Sequence, residues 1–138
     1  MRQAQHTLTI ATSGKGLTEV TADVRRWTEG QGIATGLLTL YCRHTSASLL
    51  IQENADPDVR MDLENFFDDL VPEAGDYVHT TEGPDDMPAH IRTALTGVQL
   101  SIPMAQGKLM LGTWQGIFLF EHRVRPHRRE VVLLLVGE

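Results

Sequence analysis

Near the start of the chain, Gln5 to Thr12 alternates polar and apolar side chains, the period of a strand with one buried face. The break "SGKG" follows, and Leu17, Val20, Val24 and Trp27 then recur at spacings of three and four. That spacing predicts one apolar stripe on a helix, closed by Gly30 and Gly32. Ile33 to Cys42 is rich in apolar and β-branched residues and reads as a central strand, with Ser48 to Gln52 as its neighbour after a short "HTSA" break. Asp56-Pro57 opens a second helix, an acceptor at the cap and a proline where a missing N–H costs nothing. Val59, Leu63, Phe66, Phe67 and Leu70 are its expected buried face.

Val71 to Pro84 reads as a loop, and a short helix is expected from about Asp85 to Leu95, with Gly97 as its stop. The remainder is strand: Val98 to Pro103, a turn at "MAQGK", Leu109 to Glu121, and Glu130 to Val136. "IPMAQGKLML" is a hairpin signal with Gly107 placed for a positive backbone angle. The order β-α-β-β-α-α-β-β-β predicts an α+β fold, a largely antiparallel sheet packed by about three helices. No repeat or linker interrupts it, so residues 1–138 are expected to form a single domain.

Composition narrows the function classes. A chain of 138 residues, 41% hydrophobic and 22% charged, can build a core without disulfides or a structural metal. No apolar run approaches the ~20 residues that span a bilayer, and the start "MRQAQHTLTI" lacks the apolar segment of a signal peptide. A single cysteine, Cys42, cannot pair within the chain, so a reducing cytoplasm is the expected location. The net charge of −6 argues against a general nucleic-acid binder. The one basic cluster, "HRVRPHRR" from His122 to Arg129, reads as a solvated turn in preference to a phosphate site.

Three polar constellations carry candidate chemistry. "RHTSAS" puts His44, Thr45 and Ser46 where one apolar strand stops and the next begins, and "QENADP" puts Glu53 and Asn54 just before a helix N-terminus. Free N–H groups and the helix dipole favour anions there, although Glu53 and Asn54 would also serve simply as caps. In "HTTEGPDDMPAH", Asp86 and His90 are four apart and share a helical face, with His79 upstream. Such a pair can share a metal, or the acid can orient the base; Asp85 and Asp86 could instead only satisfy the helix start. Six histidines and one cysteine suit a histidine-carboxylate metal site, not a thiolate one. In "LGTWQGIFLFEH", glycines flank Thr113, Trp114 and Gln115, and the run closes on Glu121-His122. The indole is either a flat pocket wall beside a recognising amide, or a core tryptophan whose neighbouring amide ties down a bulge.

"HTSASLLIQENADPDVRMDLE", "HTTEGPDDMPAHIRTALTG" and "IPMAQGKLMLGTWQGIFLFEHR" closely resemble the YjbQ-like family, also called UPF0047 or the secondary thiamine-phosphate synthase family. The resemblance runs to the terminal "VGE"; Arg43, Gln99 and "RVRPHRR" depart from it. It implies a compact α+β homotrimer with a polar pocket near subunit boundaries, and a weak thiamine-phosphate synthase activity. In that reaction a hydroxymethylpyrimidine diphosphate loses pyrophosphate to the attacking nitrogen of a thiazole phosphate. On this resemblance His79, Asp86 and His90 hold a divalent metal, Mg or Zn, and Arg92 or a helix N-terminus takes phosphate. His44, Glu53, Asn54 and Gln115 are then the catalytic candidates. Thr45, Ser46, Arg92, Thr113 and Trp114 contact the substrate, a small phosphorylated metabolite. Two alternatives stay open: a metal-dependent hydrolase of such a metabolite, and a small-molecule-binding trimer without turnover.

Overall fold

The computed structural model describes all 138 residues. The alternation at the start forms β1 (Arg2–Ala11), which runs antiparallel to β8 (Arg128–Gly137), with Arg2 opposite Gly137. Beyond β8 lie β3 (Gly36–Cys42), β5 (Gln99–Ala105) and the short β6 (Lys108–Leu109), giving the order β1-β8-β3-β5-β6. A second sheet, β2-β7-β4, contains β2 (Gly16–Glu19), β7 (Gln115–Glu121) and β4 (Ala47–Glu53). Every pairing is antiparallel. The β5–β6 turn is tight: Gln106 and Gly107 have φ of 52° and 76°, the two positive angles that match a hairpin's twist.

The core lies between the two sheets. Leu38, Leu40, Leu133 and Leu135 of the larger sheet share one buried cluster with Leu49, Ile117 and Leu119 of the smaller. Helix α1 (Thr21–Glu29) adds Val24, with Trp27 packed at the cluster's margin. Helix α2 (Pro57–Leu70) covers the other face of the smaller sheet, where Leu63 and Phe67 meet Leu17, Phe118 and Phe120. The Asp56 side chain accepts from the Asp58 N–H at 2.9 Å, a cap that contributes about 1 kcal/mol. Helix α3 (Asp86–Thr96) packs beside β4. The fold is α+β, one compact domain with three helices.

Three expectations fail locally. Leu17 is not on the first helix: it sits in β2 opposite Phe120, and the helix begins at Thr21. Its spacing to Val20 imitates a helical stripe because a buried strand residue happens to precede the helix. On α2, Phe66 and Leu70 are exposed, while Leu63 and Phe67 make the contact with the sheet. The expected strand from Leu109 to Glu121 is two strands in different sheets, joined by the irregular segment 110–114. Gly116 permits that change of sheet, because a Cβ there would lie 2.7 Å from Glu19 Oε2 and 2.8 Å from Asn54 Cβ. The outer face of the larger sheet is uncovered, with Leu37 and Tyr41 exposed and Val132 and Leu134 half-buried beside them. No helix is long and apolar enough to cross a membrane.

Glu121 ends β7 and His122 follows it, both buried. Arg129 donates to both carboxylate oxygens of Glu121, and Thr12 Oγ1 donates to Oε1 at 2.7 Å. Burial opposes ionisation, but Arg129 and Thr12 hold Glu121 below the usual carboxylate range. His122, 1% exposed, meets Ser48 Oγ at 2.9 Å and packs on Phe120. Burial, reinforced by the charge of Arg92, lowers its pKa to about 3. Between that value and 6.5 the unfolded chain binds the imidazole proton and the folded chain does not. Stability therefore falls as pH drops through this window, by about 1.4 kcal/mol per unit from this one group. Urea denaturation of wild type and His122→Gln between pH 4.5 and 7 should show the steeper acid loss only in wild type; parallel profiles would contradict the assignment.

Candidate functional site

The site is assembled where α3 begins. Asp85 and Asp86 start the helix, yet neither side chain caps it. Asp85 Oδ2 accepts from Arg123 Nε and from the Val124 N–H, each at 2.9 Å. Asp86, 2% exposed, turns toward two imidazoles: its Oδ2 lies 2.7 Å from His79 Nε2 and 3.0 Å from His90 Nε2. One helical turn separates Asp86 from His90, and the loop before the helix brings in His79. The three potential ligand atoms lie within 4.8 Å of one another. Burial raises the pKa of Asp86, but His79, His90 and Arg123 outweigh it and hold the group below the usual carboxylate range.

The orientation of His90 indicates what the cluster is fit for. Its Nδ1 is 2.7 Å from the carbonyl oxygen of Thr45, which can only accept, so Nδ1 carries a proton. In the neutral ring Nε2 then aims a lone pair at the Asp86 carboxylate. Two acceptors face one another, and the arrangement requires a cation there: a second proton on the ring, or a metal ion sharing the ligands. A backbone carbonyl on Nδ1 with Nε2 facing the centre is the usual orientation of a metal-binding histidine. The residues present thus fit a divalent ion.

Beside the cluster runs an open groove of about 870 Å³, lined by Tyr41, Arg43, His44, Thr45, His90 and Val98 among others. His44 is held in the complementary way, its Nε2 accepting from the Glu130 N–H at 2.8 Å. Burial and the charge of Arg129 lower its pKa, so the ring is neutral with its proton on Nδ1. His44 is a hydrogen-bond donor, not a free base.

The remaining sequence candidates are placed elsewhere in the chain. Ser46 is buried, its hydroxyl and carbonyl both accepting from Arg129 Nη2. Arg92 is buried too, bonded at 3.1 Å to Asp68 Oδ1 and to the Val71 carbonyl, and it lines a separate recess of about 140 Å³. Glu53 accepts from the Asp56 N–H, and Asn54 donates to Glu19. Gln115 Oε1 accepts from the Gly112 N–H at 2.8 Å and closes a turn that leaves Trp114 62% exposed and Thr113 at the surface. Trp114 is therefore neither a core residue nor, within one chain, a wall of the groove. Glu53 pairs with Gln115 at one end of the β4–β7 ladder and Ala47 with Glu121 at the other. That ladder is about 20 Å long and separates these residues from the imidazole cluster.

Sequence reading missed Arg123 and took Asp85 only as a helix-start residue. The run "HRVRPHRR" is not wholly a solvated turn, because Arg123 is half-buried against Asp85 and Asp86, and Arg129 is buried against Glu121. The available signal was paired acids at a helix start, in a chain whose arginines cluster after a buried strand. Long-range ¹H–¹⁵N correlation at pH 7 should find His44 neutral and protonated on Nδ1; an Nε2–H ring would contradict this geometry.

Comparison with known proteins agrees with the fold and the motifs. The family model described as "UPF0047 protein YjbQ-like" matches residues 6–138. The UPF0047 protein sll1880 of Synechocystis is 57% identical, covering 99% of this chain and 94% of that protein. The YjbQ protein of Salmonella typhimurium is 44% identical, covering 97% of this chain and 98% of that protein. The crystal structure of an uncharacterized YjbQ/UPF0047 protein from Clostridium acetobutylicum superposes with a TM-score of 0.85 at 34% identity, over 96% of this chain and 99% of that one. A YbjQ-like protein of unknown function from Sulfolobus solfataricus shares the fold, with a TM-score of 0.88 at 22% identity over 99% of this chain and 100% of that one. The chain belongs to the YjbQ-like UPF0047 family.

Proposed function

We propose that this chain is a metal-dependent enzyme acting on a small phosphorylated metabolite, with His79, Asp86 and His90 as the metal ligands. The observation that carries this reading is the convergence of those three donors, with the His90 lone pair directed into the cluster by the Thr45 carbonyl. Two imidazoles and one carboxylate suit zinc better than magnesium, which prefers oxygen ligands throughout. A bound divalent ion would supply charge neutralisation for a departing phosphate or pyrophosphate. Around it, the His44 Nδ1–H and the Arg43 guanidinium offer donors to an anionic oxygen in the groove, and Tyr41 offers an aromatic surface. Those features fit the thiamine-phosphate synthase reaction that the family resemblance implies, a diphosphate leaving from a flat heterocycle. Hydrolysis is the second reading, favoured because the half-exposed His79 and His90 leave solvent access to the cluster.

Part of the proposal concerns assembly. The uncovered apolar face of the larger sheet, and Met110 and Trp114 exposed on the segment that joins the two sheets, suit contacts between copies of this chain. A cyclic trimer joins different patches head to tail, so it could carry Trp114 and Gln115 of one copy toward the His90 groove of the next. A reducing cytoplasmic setting belongs to the same reading, with Cys42 buried and unpaired.

Calorimetric titration with Zn²⁺ tests the centre. His90→Ala should weaken binding by more than the roughly 10–100-fold typical of losing an outer-shell partner, while thermal stability changes by only about 1 kcal/mol. Wild type that binds no divalent ion, or a folded variant of unaltered affinity, would remove the metal from the proposal. Product analysis with the pyrimidine diphosphate, with and without the thiazole phosphate, separates condensation from hydrolysis. For the assembly, sedimentation should give three times the 15.4 kDa chain mass for wild type and less for Trp114→Asp. A monomeric wild type would end the trimer.

A further inference from the structure

We propose that Arg123 determines how many oxygens Asp86 offers to a bound cation, and thereby which ion the centre selects; this rests on the metal reading above. The two carboxylate oxygens of Asp86 have separate partners. Oδ2 faces the two imidazoles, whereas Oδ1 accepts from Arg123 Nη1 at 2.6 Å. The guanidinium cannot swing aside cheaply. Its Nε donates to Asp85 Oδ2 at 2.9 Å, its Nη2 donates to the Glu82 carbonyl at 2.9 Å, and its backbone N–H donates to Glu121 Oε2 at 3.1 Å. Asp85 is itself tied to the Val124 N–H. Arg123 is thus fixed at both ends, and the carboxylate it holds is 2% exposed and cannot rotate without breaking this fork.

The consequence is one of coordination number. A carboxylate with one oxygen committed to a guanidinium gives a single short bond to a cation, as tetrahedral zinc centres use. Larger hard ions gather roughly six to eight oxygen ligands and draw on bidentate carboxylates. Arg123 also places a positive charge beside the ligand, which disfavours ions held mainly by charge and tells less against zinc, held also by its nitrogen donors. The competing explanation is that Arg123 only tethers the 82–86 segment, in which case its loss would weaken all ions alike.

Competition titrations of Zn²⁺ against Mn²⁺ on the full chain separate the two. Arg123→Gln should lower the preference for zinc by about tenfold, the scale of an outer-shell effect on metal affinity. Arg123→Lys keeps the positive charge but loses the fork, so its preference should fall between those of wild type and Arg123→Gln. A folded Arg123→Gln protein with an unchanged Zn²⁺ to Mn²⁺ preference would overturn the assignment. Should that variant fail to fold, the wild type loaded with Co²⁺ decides: intense visible bands of a tetrahedral ion support the single-oxygen ligand, and the weak bands of a six-coordinate ion overturn it. A wild type that takes up none of these ions overturns the centre itself, whereas an unchanged preference overturns only the role of Arg123.

Discussion

The buried ion pair between Glu121 and Arg129 is the constraint on which the site depends. Glu121 ends β7 in the smaller sheet, and Arg129 lies near the start of β8 in the larger, so the pair joins the two sheets where the chain crosses between them. Its secondary contacts set the site. Arg129 Nη2 binds the carbonyl and hydroxyl of Ser46, fixing the segment whose preceding carbonyl, on Thr45, orients His90. Glu121 Oε2 accepts from the backbone of Arg123, fixing the residue that holds Asp86. Losing one partner of such a pair leaves an unpaired buried charge, at a cost of about 3–5 kcal/mol. The damage would extend to both groups that aim His90 and Asp86.

Two histidines show how backbone groups assign roles to identical side chains. Both His44 and His90 carry the proton on Nδ1. In His90 that proton is used by a carbonyl, and Nε2 faces the Asp86 carboxylate. In His44 the lone pair is used by an amide and the proton is presented. Backbone groups thus anchor opposite nitrogens of the two rings, Nδ1 of His90 and Nε2 of His44.

Much of this was legible in the chain because it rests on local spacing. The Asp86-to-His90 interval is set by one helical turn, and Asp56-Pro57 and Gly107 obey the dihedral requirements of a helix start and a hairpin. What was not legible depends on pairing between distant segments. Leu17 fits a helical stripe by spacing, and only its partner Phe120 on β7 makes it a strand residue. Thr113 to Gln115 look continuous with the strands on either side, yet the chain changes sheets there. Arg123 looks solvated until the helix start folds against it. Within one chain Gln115 and His90 lie toward opposite ends of the smaller sheet, and sequence motifs carry no information about which end they occupy.

The pairing of the first strand with the last has a consequence for how the molecule is made. Arg2 lies opposite Gly137, and the amino group of Met1 is 3.2 Å from Glu138 Oε1. β1 is made before every other element of this fold, but its only sheet partner is β8, so it has to wait through the synthesis of nearly all of them. The larger sheet therefore closes late, by contacts of very high sequence separation, which makes folding slow relative to its helices. The same adjacency means that a short linker could connect β8 directly to β1, with the chain opened instead at an exposed loop, so that a pairing of very high sequence separation becomes a local hairpin.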